Sequence, residues 1–171
     1  MIIKDAVQAI LEQYSLPYFG VHGISHWARV LQNGLRLAEM TGANTKVVQL
    51  FAIFHDAKRI NETVDFMHGK RGADFASKQR GILFDLTDEE FDLLYTACAH
   101  HTDGMTAGEI TVITCWDADR LDLARSGIIP APSRLCTADA KNPELIAWAN
   151  QRSLARFVPA LVQTEWEVIL D

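Results

Sequence analysis

Leu50-Phe-Ala-Ile-Phe-His-Asp-Ala-Lys-Arg59 joins a strongly apolar run to a dense polar end. Residues 47–54 are apolar at every position except Gln49, and a helix with apolar side chains on nearly all sides is a buried helix. The carboxylate of Asp56 follows this run directly, and burying an unpaired ion costs several kcal/mol. Asp56 therefore needs a cation, which is either a basic residue at the end of the stretch or a bound metal.

The composition is that of an ordinary globular protein. Of the 171 residues, 49% are hydrophobic and 22% are charged, which predicts a single domain over 1–171 with a real core. The formal net charge of -6 argues against an extended nucleic-acid surface, although a local cationic site can still bind a small anionic substrate. The chain has no apolar run of about 18 residues and no signal-peptide layout, so we predict no membrane contact. The three widely spaced cysteines indicate reduced thiols and favour a cytoplasmic location.

Helical periodicity runs through most of the chain and predicts an all-α fold. The predicted helices cover 3–14, 26–41, 45–59, 70–79, 87–101, 109–124 and 143–170. Ser25 is the expected cap of the second helix, and Thr87-Asp-Glu-Glu90 has the capping-box pattern for the fifth. Two alternatives stay open: the β-branched segment 110–114 also suits a strand, and Pro159 is a possible break in the last helix.

Residue types that bind metals are concentrated near helix ends and connecting loops. The histidines are His22, His26, His55, His68, His100 and His101, and carboxylates stand at 117, 119 and 122. Neutral imidazole and carboxylate are the usual ligands of zinc, iron, manganese and nickel. One histidine on an apolar face is more often a satisfied core residue, and a carboxylate cluster is more often a solvated face. Their joint occurrence with a buried His-Asp dipeptide favours a metal site.

The order of these residues resembles the HD-domain superfamily of metal-dependent phosphohydrolases. The family pattern is a histidine, then a His-Asp dipeptide, then a distant aspartate. It matches His22-Gly-Ile-Ser-His26-Trp-Ala-Arg-Val30, His55-Asp-Ala-Lys58 and Asp117-Ala-Asp-Arg-Leu-Asp122, and the resemblance covers about residues 20–125. It implies one HD-type bundle of helices around the metal, with residues 143–171 as a C-terminal helical extension.

The resemblance also implies a ligand set. Carried over by position, the first-metal ligands are His26, His55, Asp56 and Asp119, with Asp117 as the alternative to Asp119. The histidines of His68-Gly-Lys-Arg-Gly72 and of the tandem His100-His101 resemble the second-metal ligands of the binuclear branch, such as the HD-GYP phosphodiesterases. No Gly-Tyr-Pro follows the tandem histidines, so the cyclic-dinucleotide specificity of that branch does not carry over. One or two divalent ions are implied, and Fe, Mn, Zn, Ni and Mg are all compatible.

Catalytic roles are implied for three residues near these ligands. Asp56 would bridge two metals, and Lys58, three residues beyond His55 on the predicted helix, would neutralise charge on a phosphoryl oxygen. His68 would serve as the general acid if only one metal binds.

Three further residues are candidates for substrate binding. They are Arg29, one helical turn past His26, and also Arg120 and His22. A buried salt bridge is the structural alternative for each of the basic residues, including Lys58. Asp122 either orients a ligand or pairs with Arg125.

The function implied by the resemblance is hydrolysis of a phosphate ester by metal-activated hydroxide. The expected partner is a nucleotide or another small phosphorylated metabolite, cleaved as a phosphomonoester or a phosphodiester. Two alternatives stay open: a di-iron HD-type oxygenase, which uses the same ligand inventory, and a non-catalytic metal- or nucleotide-binding regulatory domain. The complete ligand set argues against the regulatory domain. A homodimer contact through the last predicted helix is a further possibility.

Overall fold

Residues 3–169 are described by a computed structural model and form eight α-helices and two short 3₁₀ helices, without a β-sheet. The α-helices are α1 (Lys4–Glu12), α2 (Ile24–Thr41), α3 (Thr45–Phe54), α4 (His68–Gln79), α5 (Asp88–His100), α6 (Ile110–Arg120), α7 (Pro143–Leu154) and α8 (Leu161–Thr164). The 3₁₀ helices span Leu123–Ser126 and Pro132–Arg134. The all-α prediction is confirmed, whereas the predicted last-helix end near residue 170 lies outside the described residues. None of the helices in this range is long and apolar enough to cross a bilayer.

Side-chain caps fix the start of several helices. The Asn44 side chain accepts the backbone N–H groups of the first turn of α3. The capping box of Thr87 and Glu90 is present at α5. The N-cap of α2 is Gly23 and not Ser25, because the helix starts earlier than the periodicity predicts. As a result, Ser25 lies inside the first turn and its hydroxyl does not cap the helix.

The structure shortens the third predicted helix and decides between the two open alternatives. Helix α3 ends at Phe54, and residues 55–58 form a turn, so the predicted helix through residue 59 is too long. Segment 110–114 is helical, because Glu109 caps α6 and Val112 packs into the core, which excludes the strand alternative. The last predicted helix is broken: α7 ends at Leu154, and α8 starts only after Pro159.

One apolar core connects the helices. Its members come from α1 through α7 and continue to Val168, and Trp27 and Trp166 are among the largest fully buried side chains. Helix α2 packs against α3 and α6, and α5 packs against α3, α4 and α6. Both α7 and α8 contact α2, so the C-terminal segment packs on the bundle. The single-domain organisation of 1–171 stays a prediction.

Two glycines let α4 approach its neighbours closely. A Cβ at Gly69 would lie 2.3 Å from the carbonyl oxygen of Cys98, and a Cβ at Gly72 would lie 2.3 Å from that of Phe54. Both distances are shorter than any side chain tolerates, and both obstacles are backbone atoms. The spacing of these glycines therefore seats the start of α4 directly against the ends of α3 and α5.

Candidate metal centre

The ends of five helices meet and bring the candidate ligands together. His26 lies in the first turn of α2, and His55 and Asp56 follow the last residue of α3. His68 is the first residue of α4, His101 follows the last residue of α5, and Asp119 lies in the last turn of α6. All six are buried or nearly so. Because each ligand sits at a helix end, its position depends on how the helices pack.

The first donor set contains His26, His55, Asp56 and Asp119. The Nε2 atoms of the two histidines are 3.0 Å apart, and Asp119 Oδ1 lies 3.3 Å from His26 Nε2 and 3.8 Å from His55 Nε2. Asp56 Oδ2 is 3.6 Å from each of the same nitrogens. Donors that sit about 2.1 Å from one ion are roughly 3–3.5 Å from each other. The imidazole nitrogens and the Asp119 oxygen form one compact group of possible ligand atoms, and Asp56 Oδ2 lies beside it.

The second donor set surrounds the other carboxylate oxygen of Asp56. Asp56 Oδ1 is 3.2 Å from His68 Nε2 and 3.7 Å from His101 Nε2, and these nitrogens are 3.0 Å apart. The carboxylate is 2% exposed, yet Oδ1 has no hydrogen-bond partner in the described part of the chain. Arg59 Nη1 lies 3.7 Å from this oxygen, which is close enough for an ion pair but too far for a hydrogen bond. A buried carboxylate oxygen without a hydrogen bond is costly, and a bound metal would satisfy it.

Hydrogen bonds at Nδ1 set the tautomer of all four imidazoles. His55 donates to the carbonyl of Phe51, His68 to that of Asp65 and His101 to that of Cys98. His26 donates to the carboxylate of Asp122 at 2.7 Å. With Nδ1 protonated, each Nε2 presents a lone pair to the cluster.

The Nε2 atoms of the four imidazoles lie close together in two pairs. Those of His26 and His55 are 3.0 Å apart, and so are those of His68 and His101. Ligand atoms gathered at this spacing are typical of a metal site. Two compact groups of ligand atoms, His26–His55–Asp119 and His55–Asp56–His101, are compatible with metal binding.

The pKa shifts of His55 and of the two carboxylates also suit metal binding, whereas Asp56 and Asp119 raise the pKa of His101 in spite of its burial. Burial lowers the pKa of His55 to about 3, so this imidazole is neutral at physiological pH. Burial alone would raise the pKa of Asp56, but the neighbouring His55, His101 and His68 outweigh it and hold the pKa well below its usual range. Burial likewise opposes ionisation of Asp119, and the His26 hydrogen bond again lowers the pKa. Neutral imidazoles and ionised carboxylates are the forms that bind metals.

Arginines surround the cluster on two sides. Arg59 Nη1 donates to His68 Nε2 at 3.1 Å, and Arg125 Nη2 donates to His26 Nε2 at 3.2 Å. Arg29 makes two hydrogen bonds to the carboxylate of Asp122, at 2.7 and 3.0 Å. Asp122 therefore orients His26, which is one of the two roles predicted for it. It also lies 3.7 Å from Arg125 Nη1, as the alternative prediction expects.

A cavity of about 540 Å³ opens beside the second donor set. Its walls include His68, Arg59 and His22, and the apolar side chains of Val64 and Phe66 lie at its rim. His22 Nδ1 pairs with Glu62 at 2.6 Å, and burial lowers the pKa of this imidazole. The cavity has the size of a small-molecule site and places an arginine next to the candidate metal ligands.

The structure does not bring Lys58 and His100 to the cluster, and both predictions need correction. Lys58 was expected on the face of His55, but the helix has already ended there, and its ammonium instead contacts Gln13 and the ring of Phe75. His100 is half exposed and pairs with Asp103 at 2.7 Å. Because adjacent residues at a helix end point in different directions, only His101 turns inward.

Arg120 is also placed differently from its predicted role in substrate binding. Its guanidinium donates to the carbonyls of Arg134 and Met105, which are loop atoms, and it does not line the large cavity. Asp117, the alternative to Asp119, accepts the backbone N–H groups of Cys136 and Thr137. Asp117 therefore holds the loop before α7, and Asp119 is the carboxylate at the cluster.

Three residues at the site were not assigned to it from the sequence. Arg59 was considered only as a counter-ion for Asp56, and Arg125 only as a helical partner of Asp122. Glu62 lies in a loop without a recognisable pattern and was not considered. A basic residue close to a His-Asp dipeptide was the available signal for Arg59, whereas Glu62 reaches His22 across 40 residues and has no local signal.

Comparison with solved structures indicates the family to which this protein is related. The chain resembles the crystal structure of a predicted HD superfamily hydrolase from an uncultured Thermotogales bacterium. The two share 26% sequence identity with a TM-score of 0.62, and the match covers 95% of this chain and 90% of the other. No protein-family model and no curated protein matches the sequence. The likeness extends over nearly the whole of both chains and supports membership of the HD-domain superfamily.

Proposed function

We propose that this protein is a metal-dependent hydrolase that cleaves a phosphate ester of a nucleotide or another small phosphorylated metabolite. The observation that carries the proposal is the position of the Asp56 carboxylate. One of its oxygens faces the imidazoles of His26 and His55, and the other faces those of His68 and His101. The likeness to a predicted hydrolase of the same superfamily supports hydrolysis as the reaction class.

The residues suggest two metal positions that share one carboxylate. His26, His55, Asp119 and Oδ2 of Asp56 would hold the first ion, and Oδ1 of Asp56 with His68 and His101 would hold the second. The second position has three protein ligands, which is typical of catalytic sites with open coordination positions. A metal bound here would lower the pKa of a bound water to about 7, and it would act as a Lewis acid towards a phosphoryl oxygen.

The chain's own groups complete a site for an anionic substrate. The Arg59 guanidinium lies at the wall of the large cavity beside His68, where it can bind a phosphoryl oxygen and stabilise negative charge that develops there. The same guanidinium also donates to the carbonyls of Asn61 and Thr63, so its position is fixed before substrate arrives. Arg59 therefore takes the role that the sequence assigned to Lys58.

His22 is the candidate for proton transfer to the leaving group. It lines the cavity but is not one of the imidazoles of the two donor sets. Glu62 holds Nδ1, and this contact would leave Nε2 for the substrate. Asp122 keeps His26 in one tautomer through Nδ1, and Arg29 keeps Asp122 in place.

Metal analysis of the untagged protein with two histidine variants tests the proposal. We expect close to two divalent ions per chain, a loss of about one in His68→Ala and no change in His100→Ala. Phosphate release from a panel of phosphomonoesters, and release of the leaving-group alcohol from a panel of phosphodiesters, should fall in parallel in His68→Ala alone. Both variants replace a histidine by alanine. The comparison therefore distinguishes a histidine in the cluster from one at the surface.

Other results would contradict the proposal. Absence of any retained metal after loading with excess Mn²⁺, Fe²⁺ or Zn²⁺ would exclude a metal-dependent enzyme. Metal loss in His100→Ala but not in His68→Ala would reverse the ligand assignment. Bound iron with substrate-dependent oxygen uptake and without phosphate release would favour the oxygenase alternative.

A further inference from the structure

A second, smaller cavity of about 130 Å³ lies near the metal centre and is lined by arginines. Arg29 comes from α2, Arg125 from the 3₁₀ helix after α6, and Arg156 from the segment after α7. Gly20 and Val21 form part of its wall, whereas the next residue, His22, lines the larger cavity. No candidate metal ligand lines the small cavity, so it is a separate site.

The arginines around this cavity are incompletely neutralised. Asp122 binds Arg29 through two hydrogen bonds and lies 3.7 Å from Arg125. The other bonds of Arg125 go to the uncharged carbonyls of Val21 and Asp122 and to His26. Arg156 forms no ion pair with any residue in the range 3–169. Three cations and one carboxylate therefore leave an excess of two positive charges in a protein whose net charge is -6.

The buried arginines make this excess significant. Arg29 is 3% exposed and Arg125 is 9% exposed, and like charges in a partly desolvated environment repel each other strongly. A bound anion would remove the repulsion. Water and salt screen exposed arginines, Arg156 among them, more than they screen the buried side chains of Arg29 and Arg125.

A serine hydroxyl also faces this cavity. Ser25 lines it, is only 7% exposed and makes no side-chain hydrogen bond with the described residues. It lies in the first turn of the 18-residue helix α2, whose N-cap, Gly23, provides no side-chain cap. A hydroxyl donor and the positive end of a helix dipole at one point favour an anion.

The backbone conformation at Arg156 is a further indication of a binding site. Its φ of 48° lies in the left-handed region, which is unfavourable for a residue with a side chain. Such strain persists only where the surrounding structure requires it, and it is often found at binding sites. Here the strained turn after α7 directs an arginine into the cavity wall.

We propose that this cavity binds one small tetrahedral oxyanion of the phosphate class, between Arg29, Arg125 and Arg156, with Ser25 as an additional donor. A volume of about 130 Å³ suits a single phosphate group and excludes a nucleotide. The ligand is either free orthophosphate or the phosphate group of a larger molecule that projects out of the cavity. The inference does not depend on the proposed hydrolase activity.

Calorimetric titration of the metal-loaded full-length protein with inorganic phosphate, at constant ionic strength, tests this site. We expect saturable binding at the cavity that weakens at least tenfold in Arg156→Gly. Glycine suits the left-handed backbone there, so this variant removes the charge without straining the turn. Arg134→Ala, which removes an exposed arginine elsewhere, should bind phosphate as the wild type does.

His68→Ala separates the cavity from the candidate metal centre. Phosphate affinity that is lost in His68→Ala and retained in Arg156→Gly would place the anion on the metals and overturn the cavity proposal, while the proposed hydrolase would stand. Equal affinity of Arg156→Gly and Arg134→Ala, or no saturable binding to the wild type, would also overturn it. Glycerol phosphate as a second titrant distinguishes the source: comparable Arg156-dependent binding indicates a phosphate group on a larger molecule, and binding of orthophosphate alone indicates the free ion.

Discussion

Two histidine–aspartate pairs in this protein have the same nitrogen–oxygen distance but differ in their exposure to solvent. His26 and Asp122 are 2.7 Å apart with both side chains buried, and His100 and Asp103 are 2.7 Å apart with both about half exposed. The buried pair fixes the tautomer of a candidate ligand, whereas water screens the exposed pair and leaves it a small energetic role. At the scale of single residues, burial decides which of two identical contacts matters.

The substitution Asp122→Asn tests the orienting role of this carboxylate. An amide still fits the space, but it lacks the charge that neutralises Arg29 and holds the Nδ1–H of His26. We expect metal affinity to fall about 10–100-fold, measured by competition with a fluorescent chelator. The matched control is Asp103→Asn, which makes the same change in the exposed pair and should leave affinity unaltered. A folded Asp122→Asn protein with wild-type affinity would contradict the orienting role.

At the scale of elements, the position of helix α4 depends on two glycines that have no side chain. Its exposed face carries charge, and its buried face consists of small residues that let it approach α3 and α5. Gly69 and Gly72 are the points of closest approach. Since His68 is the first residue of this helix, the same packing that holds α4 also sets the distance between His68 and His101.

The substitution Gly72→Ala tests this packing. The added methyl group would meet the carbonyl of Phe54, and overpacking of this kind costs about 1–3 kcal/mol in the free energy of unfolding, measured by urea denaturation. We also expect the second metal, held in part by His68, to be lost before the first when a chelator is titrated. In the control Lys70→Ala, an exposed position on the same helix changes, and stability should stay within about 0.5 kcal/mol. Simultaneous loss of both metals from Gly72→Ala would argue against two separable donor sets.

At the scale of the whole molecule, charge is unevenly distributed. The protein is acidic overall, yet arginines from α2, the turn after α3, the 3₁₀ helix after α6 and the segment after α7 gather around the candidate metal centre and the small cavity. The acidic residues at this centre are buried and face imidazoles. We expect the net negative charge to disfavour polyanions and the local cations to favour a small anionic ligand.

Metal binding should contribute to the stability of the whole bundle, because the ligands come from five helices. An ion at a concentration 100-fold above its Kd adds about 2.7 kcal/mol, which corresponds to roughly 5–10 °C in Tm for a chain of this length. We therefore expect chelation to lower the Tm of the wild type and of His100→Ala by the same amount, and that of His68→Ala by less. Scanning calorimetry with and without chelator measures this, and identical curves for the wild type would contradict it.

The sequence alone determined the class of the fold and most of the ligand inventory. Apolar periodicity, caps and the buried run before His55-Asp56 identify the helices, and five of the helix ends carry His or Asp in an order typical of the superfamily. These features are local, because a period of 3.6 residues and a cap depend only on neighbours in the chain.

The tertiary structure decided which polar residues meet. It selected His101 over His100, Asp119 over Asp117 and Arg59 over Lys58, and it brought Arg29, Arg125 and Arg156 to one cavity. In each of these choices the two residues are adjacent or two positions apart, so composition and spacing do not distinguish them. The direction of a side chain at a helix end depends on where the helix stops and how it packs, and these are set by contacts between residues far apart in the sequence.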